Sequence, residues 1–226
     1  MKYFTILGER CSGTIFTQYA LTFNFKLEYR TTDHKKVKEK HFFGFSENLF
    51  KQEEVDETLF IFVIRNPIDW IDSFFKRLHH VAPENKKSIQ NFINNQWYSI
   101  YELGDEIHTE IMLDRNMHTG ERYKDIFELR KVKNDYLVNT FVHKVKNFMV
   151  LRYEDLRDNY EDTLNMIQEL FQLERKNKNS YEKVPRYKGT YTALYYKKPI
   201  LIPDQVIEEI KKRVDVEQEK SFGYIL

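Results

Sequence analysis

The feature that most constrains this chain is the unbroken apolar run Leu59-Phe60-Ile61-Phe62-Val63-Ile64, which stops abruptly at Arg65-Asn66-Pro67. A run of this length with no polar alternation suits a parallel strand covered on both faces by helices. Pro67 fits the first turn of a helix, and Ile68, Ile71, Phe74, Phe75 and Leu78 then share one face of it. The run therefore predicts a strand–loop–helix unit.

Two further units follow the same pattern. Tyr3-Phe4-Thr5-Ile6-Leu7 reads as a buried strand ended by Gly8, followed by a loop and a helix from Ile15. Phe148-Met149-Val150-Leu151 reads as a third strand, with a helix over 160–173 behind it. Three such units predict an α/β fold, a central parallel sheet flanked by helices, in one domain over 1–226. Between the second and third units, 88–146 has no strong strand signal. Its apolar residues Ile126, Leu129, Val132, Tyr136, Leu137, Phe141 and Val145 recur at helical spacing, which predicts a mainly helical insertion. The tyrosine-rich basic stretch 175–198 reads as a long loop, and Pro203 precedes a helix over 204–213.

Composition narrows the function. Lys plus Arg number 36 against 35 Asp plus Glu, a net charge of +1, so no field of one sign exists to bind nucleic acid and any anion site is local. The one cysteine, Cys11, excludes an intrachain disulfide framework and suits a reducing compartment, with the cytoplasm as the default. The longest apolar run is far short of the roughly 20 residues that span a bilayer, and 3–7 is too short for a signal core, so a soluble protein is expected. His79-His80, His108, Asp114 and His118 have no metal-ligand spacing, and no metal site is expected.

Gly8 and Gly13 have the spacing of a Walker A loop, in which backbone N–H groups cradle phosphate at a helix N-terminus. The Lys and Ser/Thr that should follow are replaced by Thr14 and Ile15, and the second strand ends in Arg65 where an NTPase has a metal-binding Asp. The pattern argues against ATP or GTP hydrolysis. It fits a phosphate site that uses protein cations in place of Mg²⁺, although a glycine pair also occurs in ordinary turns.

Arg65-Asn66-Pro67-Ile68-Asp69-Trp70-Ile71-Asp72-Ser73 resembles the 3′-phosphate-binding motif of the sulfotransferases that use 3′-phosphoadenosine 5′-phosphosulfate (PAPS), with Arg at the strand end and Ser eight residues on. Cys11-Ser12-Gly13-Thr14-Ile15-Phe16 is similar to that family's 5′-phosphosulfate loop, and Leu151-Arg152-Tyr153-Glu154-Asp155-Leu156 to its segment beside the adenine. The three motifs stand in the family's order, each at a predicted strand end. The resemblance implies a P-loop NTPase-like sulfotransferase fold and in-line transfer of a sulfuryl group from PAPS to an acceptor hydroxyl, leaving 3′-phosphoadenosine 5′-phosphate (PAP), with no metal.

Such a transfer needs a base for the acceptor proton and a cation for charge developing on the leaving phosphate. By resemblance the base is His41. The family's loop lysine falls on the neutral Cys11, so the cation role passes to Arg10, with Lys40 as substitute. The resemblance also makes Arg10, Cys11, Ser12, Gly13, Thr14, Ile15, Phe16, Arg65, Ser73 and Tyr153 cofactor-binding, Phe16 and Tyr153 toward the adenine. Arg186 and Lys188 loosely match the family's lid over the 3′-phosphate, with Tyr187 inserted between them.

The acceptor is expected to be a small molecule or carbohydrate, in a pocket built by Trp97, Tyr98, Tyr101 and Tyr123 of the insertion together with tyrosines of 187–196. Two alternatives stay open at this stage. One is a non-catalytic nucleotide-binding protein of the same fold that lost its chemistry with the loop lysine. The other, less favoured, is a small-molecule kinase.

Overall fold

The computed structural model describes residues 1–30, 33–34, 37–38, 41, 55–102, 109–184 and 199–226. Strand β1 (Tyr3–Leu7) leads through the glycine loop into α1 (Thr14–Asn24), and β2 (Glu28–Tyr29) follows. The short β3 (Asp33–His34) and β4 (Val37–Lys38) pair with each other in antiparallel fashion. Next come β5 (Thr58–Ile64), α2 (Pro67–Phe75), α3 (Ile89–Asn94), α4 (Ile126–Asn139) and β6 (Asn147–Arg152). The chain closes with α5 (Tyr153–Asp158), α6 (Tyr160–Phe171), α7 (Asp204–Arg213) and α8 (Val216–Ser221).

The fold is α/β, with a four-stranded sheet in the order β2-β1-β5-β6 and every pairing parallel. Side-chain alternation sorts the two faces. Phe4 and Ile6 of β1 and Leu59, Ile61 and Val63 of β5 pack with Phe16, Ala20 and Leu21 of α1 and Leu164 and Ile167 of α6. Leu7, Phe62 and Ile64 point the other way, onto Leu137 of α4 and the C-terminal Phe222 and Tyr224. All of β5 is buried, as its continuous apolar sequence requires.

Each predicted strand is present within a residue of its expected bounds, and β1 and α7 match theirs. The helix after Pro67 begins as expected, with Asn66 capping the N–H groups of Ile68 and Asp69, but it ends at Phe75, short of Leu78. The insertion departs further from expectation. Between α3 and α4 the described chain is irregular, joined by the bridges Trp97↔Tyr123 and Ile100↔Glu110 and one 3₁₀ turn, so the segment is helical mainly toward its ends. Trp97 and Tyr123 are fully buried in the cluster that also holds Trp70, Phe74 and Phe92. Their aromatic area serves the core, which corrects the expectation that they line an acceptor pocket.

Candidate functional site

The chain leaves β1 toward β2 on one side and β5 toward β6 on the other, so the carboxyl ends of β1 and β5 form a topological switch point. In open α/β sheets ligands bind at such a switch point. The glycine loop follows β1 and Arg65 follows β5, so the predicted phosphate site falls there.

The loop is built tightly. Gly8 (φ +154°) and Gly13 (φ +104°) adopt backbone conformations that favour glycine, and Cys11 is left-handed at φ +63°. A Cβ on Gly13 would stand 2.3 Å from the Tyr153 ring, and one on Gly8 2.6 Å from the carbonyl oxygen of Val63. Ser12 donates its hydroxyl to the Glu9 carbonyl at 2.6 Å, closing the turn from inside. α1 starts without a side-chain cap and without an acidic residue in its first turn, which leaves its leading N–H groups and positive dipole end to the loop.

Two side chains fasten on this loop. His41 Nδ1 lies 2.7 Å from the Gly8 carbonyl oxygen, and Arg65 Nη1 donates to the Cys11 carbonyl at 3.1 Å. A carbonyl can only accept, so Nδ1 of a neutral His41 carries the proton and Nε2 bears the lone pair. The Arg65 guanidinium rests over the Tyr153 ring at 4.8 Å, and its buried Nε has no hydrogen-bond partner among the described residues. Its backbone is pinned as well: Arg130 Nη2 donates to the Arg65 carbonyl at 2.9 Å, and Glu154 accepts from the next N–H, that of Asn66, at 3.0 Å. Ser73 is half-buried on α2.

Tyr153, the first residue of α5, packs against Gly13 of the loop. Phe16 meets its ring edge-on at 5.9 Å, and Arg157 lies over it at 5.4 Å. Beyond them Phe16, Arg157, Asn159, Tyr160, Lys183 and Val184 line a cavity of about 480 Å³. Phe16 is 5 % exposed and is part of the core as well as a wall of that cavity.

Arg10 has a different place from the one expected of it. It is fully buried, with Nε on Glu9 Oε1 at 2.8 Å, Nη2 on Asp114 Oδ2 at 3.3 Å and Nη1 on the carbonyls of His79 and His80. The rings of Phe74 and Trp97 stack against it. A guanidinium so fully engaged is structural, and the loop adjustment that would present it to a leaving phosphate does not occur. Cys11 is likewise no cation, and burial pushes its thiol up to about 11 despite the opposing pull of Arg77, Arg10 and Arg65.

Sequence reasoning missed that Asp114 and Lys133 join the buried cluster around Arg10. Glu9 and Asp114, on the loop and in the insertion, share Lys133 of α4, whose ammonium reaches both. One signal was available: Lys133 occupies the helical register of Ile126, Leu129 and Leu137, where an apolar residue belongs. Burial alone would raise the Glu9 carboxyl, but Lys133 and Arg10 outweigh it and hold the group well below the usual carboxylate range.

Lys40, Arg186 and Lys188 lie outside the described residues. Among the described residues no group of three or more His, Cys, Asp or Glu is placed to hold a metal, and no helix is long and apolar enough to cross a membrane. Comparison with protein-family models, with curated proteins and with solved structures finds no match.

Proposed function

We propose that this chain is a PAPS-dependent sulfotransferase of P-loop-like fold. The observation that carries the reading is that His41 and Arg65, from separate parts of the chain, hydrogen-bond to carbonyls within one glycine loop, at Gly8 and Cys11. That arrangement brings an imidazole and a guanidinium to the same turn, at the carboxyl ends of β1 and β5, which supports the reading.

The roles follow from the chemistry of each group. The α1 N-terminus and the loop N–H groups hold the 5′-phosphosulfate end. Arg65, with its unpartnered Nε and with Ser73 on the helix that follows, takes the 3′-phosphate. Phe16 lines the adjoining cavity, which has room for an adenine, and Tyr153 packs edge-on behind it. His41 Nε2 accepts the proton of the acceptor hydroxyl while the new O–S bond forms, and the bond from sulfur to the 5′-phosphate breaks, leaving PAP. With Arg10 sealed beneath the loop, Lys40, next to His41 in the chain, is the remaining candidate cation for the leaving phosphate. The acceptor is a hydroxyl compound, by preference a carbohydrate, and the cytoplasm is the proposed compartment.

One observation favours a second reading, a non-catalytic PAP-binding protein: the loop position of the usual lysine holds Cys11, and Arg10 does not replace it.

Titration of the wild type and Arg65→Ala with PAP, AMP and Mg-ATP, followed by PAPS turnover on a panel of sugar and phenol acceptors, decides among these readings. PAP is expected to raise apparent stability by about 2.7 kcal/mol at a hundredfold excess over its dissociation constant, with AMP and the variant showing little. A preference for Mg-ATP, or no response to PAP, overturns the reading. PAP binding without turnover selects the second one.

A further inference from the structure

Lys133 belongs to α4, 92 residues from His41 in sequence, yet it is 2 % exposed and its ammonium lies beneath the glycine loop. Nζ donates to Glu9 Oε2 at 2.7 Å, to the backbone carbonyl of His41 at 2.8 Å and to Asp114 Oδ1. Three acceptors match the three donors of an ammonium. Arg10 completes the group through Glu9 and Asp114, while Ser99 donates its hydroxyl to Asp114. Among the described residues, two cations and two carboxylates make up the buried cluster and leave it formally neutral, the condition under which such charges are tolerated.

The arrangement bears on His41 from two directions. Its imidazole is tied to the carbonyl of Gly8, and its own carbonyl is tied to Lys133. Lys133 also grips Glu9, the residue after Gly8, so one ammonium holds the chain on both sides of the His41–Gly8 hydrogen bond. We infer that Lys133 is a positioning residue of this site: it sets the His41 backbone against the glycine loop and thereby keeps the imidazole on Gly8 in the Nδ1–H tautomer, which makes Nε2 the basic nitrogen. The catalytic meaning of the inference rests on the sulfotransferase reading. The control of the His41 tautomer does not.

Among the described residues, the charged and titratable groups around His41 and Lys133 include Glu9, Arg10 and Asp114, with His79 and His80 bonded to the same Arg10 through their carbonyls. The test therefore uses two variants that keep the cluster balanced. Lys133→Met/Asp114→Asn removes one charge of each sign. Lys133→Arg keeps the charge, but its planar fork cannot serve three acceptors gathered around one point.

Nitrogen-15 NMR of the His41 ring, with its pH titration, is read in each folded variant alongside PAP affinity and PAPS turnover. The wild-type ring is expected to be the Nδ1–H tautomer when neutral. Both variants are expected to shift it toward the Nε2–H form that an unconstrained histidine side chain favours, to lower kcat about tenfold or more, and to leave PAP affinity within about threefold. Wild-type tautomer and titration in either folded variant overturn the inference. Failure of the wild type to turn over PAPS overturns the function proposed above, and the NMR comparison still decides the role of Lys133.

Discussion

The imidazole of His41 and the carbonyl of Gly8 stand 2.7 Å apart, which joins a residue from the poorly patterned stretch before β5 to the first glycine of the loop after β1. The contact defines which ring nitrogen is basic. His41→Ala is expected to lower PAPS turnover by about 10²–10⁴-fold while PAP binding stays near wild type. Steady-state kinetics together with a PAP titration check it, and unchanged turnover removes His41 from the mechanism.

Arg10 and Arg65 are separated by their neighbours and so by their phenotypes. Arg10→Ala leaves Lys133 as the one described cation on the buried carboxylates of Glu9 and Asp114, and it is expected to cost about 3–5 kcal/mol of stability. Arg65→Ala is expected to unfold near the wild-type denaturant midpoint and to lose PAP binding. Equal destabilisation of the two variants would contradict this division.

Gly13→Ala is expected to destabilise the protein by about 2 kcal/mol, because φ +104° disfavours any side chain and the new methyl meets the Tyr153 ring. Tyr153→Ala in the same chain relieves the clash but not the backbone strain. The double variant should therefore recover only part of the loss in a urea titration.

Acid weakens the fold in two steps. Burial, helped by Arg10, depresses His79 from 6.5 to about 4, so the folded state holds it neutral while the unfolded chain binds a proton. The sign follows from linkage: its contribution is complete above 6.5 and is lost as pH falls toward 4, with a slope of at most about 1.4 kcal/mol per pH unit. Glu9, also depressed, adds a loss that begins only below its ordinary value of 4.5. His80, also lowered by burial, acts in the same window, so His79→Gln is expected to reduce the slope above pH 5 without abolishing it and to leave the more acidic part in place.

Cys11 is expected to resist alkylation. With its thiol pushed up to about 11, roughly one in a thousand is ionised at pH 8, so iodoacetamide should label the native protein far more slowly than the urea-unfolded chain. Rapid native labelling would show the loop to be more open than this structure.

The parallel sheet could be read along the chain because its information is local. The run 59–64 is apolar on both faces, Pro67 and Asn66 set the start of α2, and Gly8 ends β1 before the loop. The three motifs could be found for the same reason, since each is contiguous and ends a strand. What linear sequence does not carry is the partner of a charge. Arg10 reads as a free cation beside a glycine loop until Asp114 and Lys133 arrive from the insertion, and low dielectric then makes their mutual pairing obligatory. Trp97 and Tyr123 read as pocket aromatics until their bridge folds them into the core. Local pattern determined the strands, the loop and the order of the motifs. Long-range packing alone decided which of the charges and rings were left to face the crevice.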